Sequence, residues 1–126
     1  MSNAARPLSH RRILVVEDEY LIAMDVKRWL MAAGATVVGP VPSVERALGL
    51  IEEGYIDAAV LDINLGERGT SFPIADRLSA LGVPYLFATG DVQVSLGSLY
   101  GGQPRLEKPF VEAELVQAVA KLTSVP

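Results

Sequence analysis

The sequence contains no cysteine, and its single histidine, His10, lies close to the amino terminus. Disulfides, thiolate metal sites and cysteine nucleophiles are thereby excluded, and histidine-based zinc sites and Ser/His/Asp catalysis lose their central group. Any chemistry must use carboxylates, hydroxyls, lysine or arginine. Positive charge is also scarce. Eleven Lys and Arg stand against 15 Asp and Glu for a net charge of −4, with no basic cluster to neutralise nucleic-acid phosphates. No apolar run approaches the roughly 20 residues that a membrane-spanning helix needs, and the amino terminus lacks the hydrophobic stretch of a secretory signal. These absences predict a soluble, cytoplasmic protein that binds neither nucleic acid nor membrane.

What is present is globular: half the residues are hydrophobic and 21% are charged, in a chain of 126 that fits one domain. A chain of that size buries roughly two thirds of its unfolded surface, enough for a core without staples. Residues 1–11, MSNAARPLSHR, are polar and aperiodic around Pro7. They read as a mobile tail or tag remnant, which places the domain at 12–126.

From Arg12 onward short apolar runs alternate with stretches of helical period. ILVV (13–16), TVVGPV (36–41), AAVLDI (58–63), PYLFA (84–88) and the brief RLE (105–107) read as five strands. Between them, Ile22, Val26, Trp29, Leu30 and Ala33 mark one helix stopped by Gly34; Val44, Ala47, Leu48 and Ile51 mark a second, capped by Ser43 and closed by Gly54. Pro73 opens a third with Ile74, Leu78 and Leu81 inward, and Val111, Leu115, Ala118, Val119 and Leu122 line the last. The stretch from Asp91 to Gln103 holds three glycines and supports only a weak helix. Alternating strands and helices with near-continuous apolar strands predict an α/β domain, a doubly wound parallel sheet with helices on both faces.

In such sheets ligands bind beyond the carboxyl ends of the strands. Glu17 and Asp18 follow the first strand, Asp62 the third, Thr89 the fourth and Lys108 the fifth. Alone, each has an ordinary explanation as a turn cap, a β-former or a solvated charge. Jointly, four strands deliver polar groups to one rim. Crowded carboxylates raise one another's pKa unless a cation intervenes, and hard oxygen donors suit Mg²⁺. Lys108 would add a second positive charge. The pattern describes an anion-accepting site with a carboxylate inside it.

These residues, together with Lys108-Pro109-Phe110, resemble the receiver domain of two-component response regulators over residues 12–122. The resemblance implies a flavodoxin-like, CheY-like fold with strand order 2-1-3-4-5. It implies that Asp62 accepts a phosphoryl group from a sensor histidine kinase or histidine phosphotransfer protein. Asp18, Asp62 and the Asn64 backbone carbonyl would hold Mg²⁺, Glu17 would orient a metal-bound water, and Thr89 and Lys108 would receive the phosphoryl oxygens. Phosphoryl transfer rests on positioning and charge neutralisation, and a carboxylate already ionised needs no general base. The chain would be a signalling domain able to catalyse its own phosphorylation and dephosphorylation, acting on a downstream protein through the face of its fourth helix, fifth strand and last helix. A cis bond is expected at Lys108–Pro109.

Two features depart from the family pattern. Arg105 stands three residues before Lys108, where receivers usually carry an aromatic, and LFATGD (86–91) resembles the FATG-bearing (FAT GUY) receivers that work with HWE-type kinases but has Asp91 where an aromatic is expected. An Asp91–Arg105 pair that responds to phosphorylation is one reading; two solvated charges is the other. Two rival functions remain. A haloacid dehalogenase-like phosphohydrolase would need an acid at Asn64 and a cap domain, and an unphosphorylated interaction module would not need every site position filled. The sequence leaves open whether the chain stands alone or is a fragment of a longer regulator.

Overall fold

The computed structural model describes residues 6–90, 100 and 102–124. Five parallel strands, β1 (Arg12–Val16), β2 (Thr36–Val41), β3 (Ala58–Asp62), β4 (Tyr85–Thr89) and β5 (Arg105–Glu107), form one sheet in the order β2-β1-β3-β4-β5. Among the described residues the helices α1 (Tyr20–Ala32), α2 (Val44–Glu53), α3 (Phe72–Ala80) and α4 (Glu112–Thr123) connect or follow them. This is the predicted doubly wound order.

The apolar runs explain the two layers. Successive strand residues point to opposite faces, so a run with no polar break must be covered on both. Ile13 and Val15 of β1, with Ala58 and Val60 of β3 and Leu86 and Ala88 of β4, pack under Val26 and Leu30 of α1 and Leu115 and Val119 of α4. Leu14, Val16, Ala59, Leu61, Tyr85 and Phe87 face the other way, against Ala47 and Ile51 of α2 and Ile74, Ala75 and Leu78 of α3. Each fully buried Leu, Ile or Phe contributes about 1.5–3 kcal/mol. Helix ends follow local chemistry: Ser43 Oγ accepts the Arg46 N–H at the start of α2, and Gly34, at φ +102°, ends the turn after α1 where a Cβ would lie 2.8 Å from Ser9 Oγ.

Several expectations change. Residues 6–11 are not a mobile tail: Leu8 is fully buried beneath α1 and α4, its N–H bonds the Ala33 carbonyl at 2.9 Å, and the Arg11 guanidinium donates to the Thr123 carbonyl at 3.0 Å. One apolar side chain in a polar stretch gives no periodicity, so only the tertiary fold reveals its seat. Leu81 and Val111 are exposed, because α3 ends at Ala80 and Val111 precedes the first turn of α4; Ala75 and Thr123 are buried instead. Ile22 and Trp29 are half-buried while Ala23 takes the inner position. Gly54 closes α2 in extended rather than left-handed conformation. A short 3₁₀ turn at Gly66–Arg68 and a cis Gly39–Pro40 bond were not foreseen, whereas Lys108–Pro109 is cis as expected. Asp91 and most of the weak fourth helix lie outside the described residues, and with them the Asp91–Arg105 pairing.

Candidate functional site

β1 and β3 are adjacent at the centre of the sheet, and the chain leaves them toward opposite sides, so the backbone opens a cleft beyond their carboxyl ends. Glu17 and Asp18 leave β1 directly, Asp62 is the last residue of β3, Thr89 the last of β4, and Lys108 follows β5. The cleft has a volume of about 320 Å³ and is lined by Asp18, Glu19, Asp62, Asn64, Gly66, Thr89, Gly90 and Lys108. All the sequence-predicted side chains except Glu17 line it. Glu17 sits just beneath, joined to the cleft through Lys108.

Backbone contacts fix these positions. The Glu17 N–H donates to the Val41 carbonyl at 3.0 Å and the Lys108 N–H to the Thr89 carbonyl at 2.8 Å, which ties the exits of neighbouring strands together. The Asn64 Oδ1 accepts the Gly66 N–H at 3.0 Å, folding the loop after β3 back toward Asp18; a Cβ on Gly66, at φ +66°, would lie 3.3 Å from Asp18 Oδ2. Gly66 was not singled out in the sequence, although its place in NLG is an ordinary turn signal.

The charges are concentrated and buried. Glu17, Asp62 and Thr89 are 6%, 4% and 3% exposed. Lys108 Nζ lies 2.8 Å from Glu17 Oε1, 3.4 Å from Asp62 Oδ2 and 3.6 Å from Glu19 Oε1. Burial works to lower the Lys108 pKa, but its pairing with Glu17, Asp62 and Glu19 outweighs it and the net shift is upward. Asp62 is pushed up to about 8, chiefly by burial and then by the neighbouring Glu17 carboxylate, against a lowering influence from Lys108. Burial beside other acids thus disfavours the ionised form of Asp62, and Lys108 offsets only part of that cost.

Carboxylate oxygens of Glu17, Asp18 and Asp62 lie within 4.8 Å of one another. Three hard oxygen donors with an unbalanced negative charge fit a divalent cation of the magnesium type. Glu19 was missed as a site residue in the sequence, although the run Glu17-Asp18-Glu19 held the signal. Arg105 opens β5 and is half-buried, in register with Phe87. On the face of the sheet that Phe87 covers, Tyr100 stacks on Phe72 with centroids 4.4 Å apart, meets Phe87 edge-on, and donates its hydroxyl to Asp76 at 2.7 Å.

No protein-family model matches the chain. It is similar to SdrG from Sphingomonas melonis Fr1, in solution, at 41% identity and a TM-score of 0.80 over 98% of this chain and 100% of that one. The BeF3-activated conformation of SdrG from Pseudomonas melonis Fr1 matches at 42% identity and a TM-score of 0.76, over 92% and 98% of the two chains. A response regulator receiver protein from Sinorhizobium medicae WSM419 matches at 28% identity and a TM-score of 0.76, over 90% and 94%. Among curated proteins, the transcriptional regulatory protein PdtaR of Mycobacterium tuberculosis is 29% identical over 86% of this chain and 55% of its own length, so the chain spans about half of that relative. No helix among the described residues is long and apolar enough to cross a membrane. With the parallel order β2-β1-β3-β4-β5 and the acids gathered at its carboxyl rim, the chain belongs to the CheY-like receiver domains of two-component response regulators.

Proposed function

We propose that the chain is a phosphorylation-dependent switch whose acceptor is Asp62. The observation that carries this reading is a buried carboxylate at a strand end, 3.4 Å from a lysine ammonium and within one donor cluster with two further acids. An Asp62 oxygen attacks phosphorus. As the new O–P bond forms, the bond from phosphorus to a donor imidazole nitrogen breaks, its electron pair returning to the ring. Lys108 and Thr89 hold the phosphoryl oxygens as charge spreads over them, which is most of the catalysis in a loose transition state.

Glu17, Asp18, Asp62 and the Asn64 carbonyl would hold Mg²⁺, Glu17 through a bound water. Such an ion, once bound, would supply the charge neutralisation that favours Asp62 as an anion. The donor would be a histidine kinase or histidine phosphotransfer protein in the cytoplasm, of the HWE type if the LFATGD resemblance extends to partners. Phosphorylation would alter the surface around β5 and α4 that a downstream protein reads. Beryllofluoride mimics a phosphoryl group on a carboxylate, and the existence of a BeF3-activated SdrG supports the same chemistry here.

Incubation with acetyl phosphate and Mg²⁺, followed by mass spectrometry, tests the reading. A stable phosphoryl adduct on Asp62, absent from Asp62→Asn, is expected. Rapid turnover without accumulation would indicate a phosphohydrolase, and no modification an interaction module.

A further inference from the structure

We propose that Glu19 is a specificity-determining residue for phosphoryl uptake: its carboxylate at the mouth of the cleft disfavours small donors that arrive with two negative charges. The proposal rests on Asp62 being the phosphoryl acceptor.

Glu19 differs from the other acids in position and freedom. Glu17 and Asp62 have side chains only 4% and 6% exposed, whereas that of Glu19 is 63% exposed, on the outer rim of the same cleft. Its backbone is anchored on both sides, the N–H donating to Glu17 Oε2 at 3.1 Å and the carbonyl accepting the Ala23 N–H at 2.9 Å. The side chain caps nothing, although Glu19 is the N-cap residue of α1. Among the described residues its one charged partner is Lys108, at 3.6 Å, already shared with two closer carboxylates. So exposed a pair adds little to stability. What the carboxylate does is place a fixed negative charge where an incoming phosphoryl group must pass, and compete for the ammonium that must receive the phosphoryl oxygens.

Donor charge then decides the effect. With acetyl phosphate, a dianion, attack by Asp62 forms the new O–P bond and breaks the P–O bond, and acetate departs with the electron pair. With phosphoramidate, a monoanionic zwitterion at neutral pH, the P–N bond breaks and the nitrogen leaves as ammonia, having carried its three protons from the start. A protein phosphohistidine donor resembles the second case, since its leaving nitrogen belongs to an imidazole rather than a carboxylate.

The test is the rate of phosphoryl incorporation with Mg²⁺ for the wild type, Glu19→Gln and Glu19→Asp, using both small donors at low and high ionic strength, with thermal unfolding as a check on folding. Neutralising one mouth charge should speed uptake from acetyl phosphate by about 3–10-fold, at or below the lower end of electrostatic steering, and from phosphoramidate by less than about twofold. The difference should vanish near 0.5 M salt, where screening acts within roughly 4 Å, and Glu19→Asp should keep the wild-type donor ratio. Equal changes with both donors, no change with either, or an effect insensitive to salt would overturn the proposal and leave Glu19 a structural or solvated residue. A folded wild type that accepts phosphate from neither donor would instead overturn the acceptor role of Asp62, and this proposal with it.

Discussion

The two rims of the sheet carry similar residues and use them in opposite ways. At the amino ends of the strands, three charges have a neutral backbone partner: Asp57 Oδ2 accepts the Arg12 N–H at 2.7 Å, Arg12 Nε donates to the Tyr55 carbonyl at 2.7 Å, and Arg11 donates to the Thr123 carbonyl at 3.0 Å. At the carboxyl ends, Glu17, Glu19 and Asp62 share the single ammonium of Lys108, with Asp18 beside them. One rim settles its charges internally and closes the fold. The other leaves an excess of buried negative charge that a proton or an added cation would relieve. A site is marked by charges that the protein's own groups leave unbalanced, not by charge as such.

The comparison is broken most directly by removing one aspartate from each rim. Asp62→Asn is expected to abolish phosphoryl incorporation from acetyl phosphate, measured by intact mass. Asp57→Ala should leave incorporation intact and lower stability by about 1–2 kcal/mol, the cost of an unpaired Arg12 N–H, measured by urea unfolding. The cations should separate in the same way. Lys108→Met should slow incorporation by about 100-fold or more, as the loss of a transition-state donor does, while Arg12→Met should leave the rate unchanged.

Leu8 sharpens the picture of the amino rim as structural. Leu8→Ala opens a void under α1 and α4 and should cost about 2–4 kcal/mol in a urea titration without altering the phosphorylation rate. A further effect concerns pH. An acid whose pKa is raised on folding keeps a proton in the folded state that the unfolded chain has released. With chelator present, stability should therefore fall as pH rises from the ordinary aspartate value of 3.8 toward about 8. That slope should flatten in Asp62→Asn and in excess Mg²⁺, while Asp57→Ala should retain it. Urea midpoints at pH 5 and pH 8 check the sign.

Much of the fold is legible because strand and helix periods are local properties of the chain. ILVV and AAVLD read as buried strands, and residues that end such runs surface together at one rim once the connections make the strands parallel. Asp62, Thr89 and Lys108 were placed at that rim by such reasoning, and they line one cleft there. The family resemblance, rather than periodicity, supplied their roles and the strand order. Leu8, Ala75 and Thr123 were not found, because a lone apolar or small residue acquires an inside only when distant elements cover it. Val111 and Leu81 were misplaced for the converse reason: their spacing fits the apolar face, but their helices begin after one and end before the other.

Taken by itself, then, the sequence determined the alternation of elements, the two-sided cover of the sheet and the set of polar residues at the strand ends, since each follows from the order of side chains along a few residues. Only the tertiary structure decided that one lysine serves three acids, that Asp62 is raised while Glu19 stays at the rim, and that residues 6–11 close the opposite edge. Charge interaction and desolvation depend on distances through space and on exclusion of water, and the chain acquires both only when residues far apart in sequence are brought within a few Å.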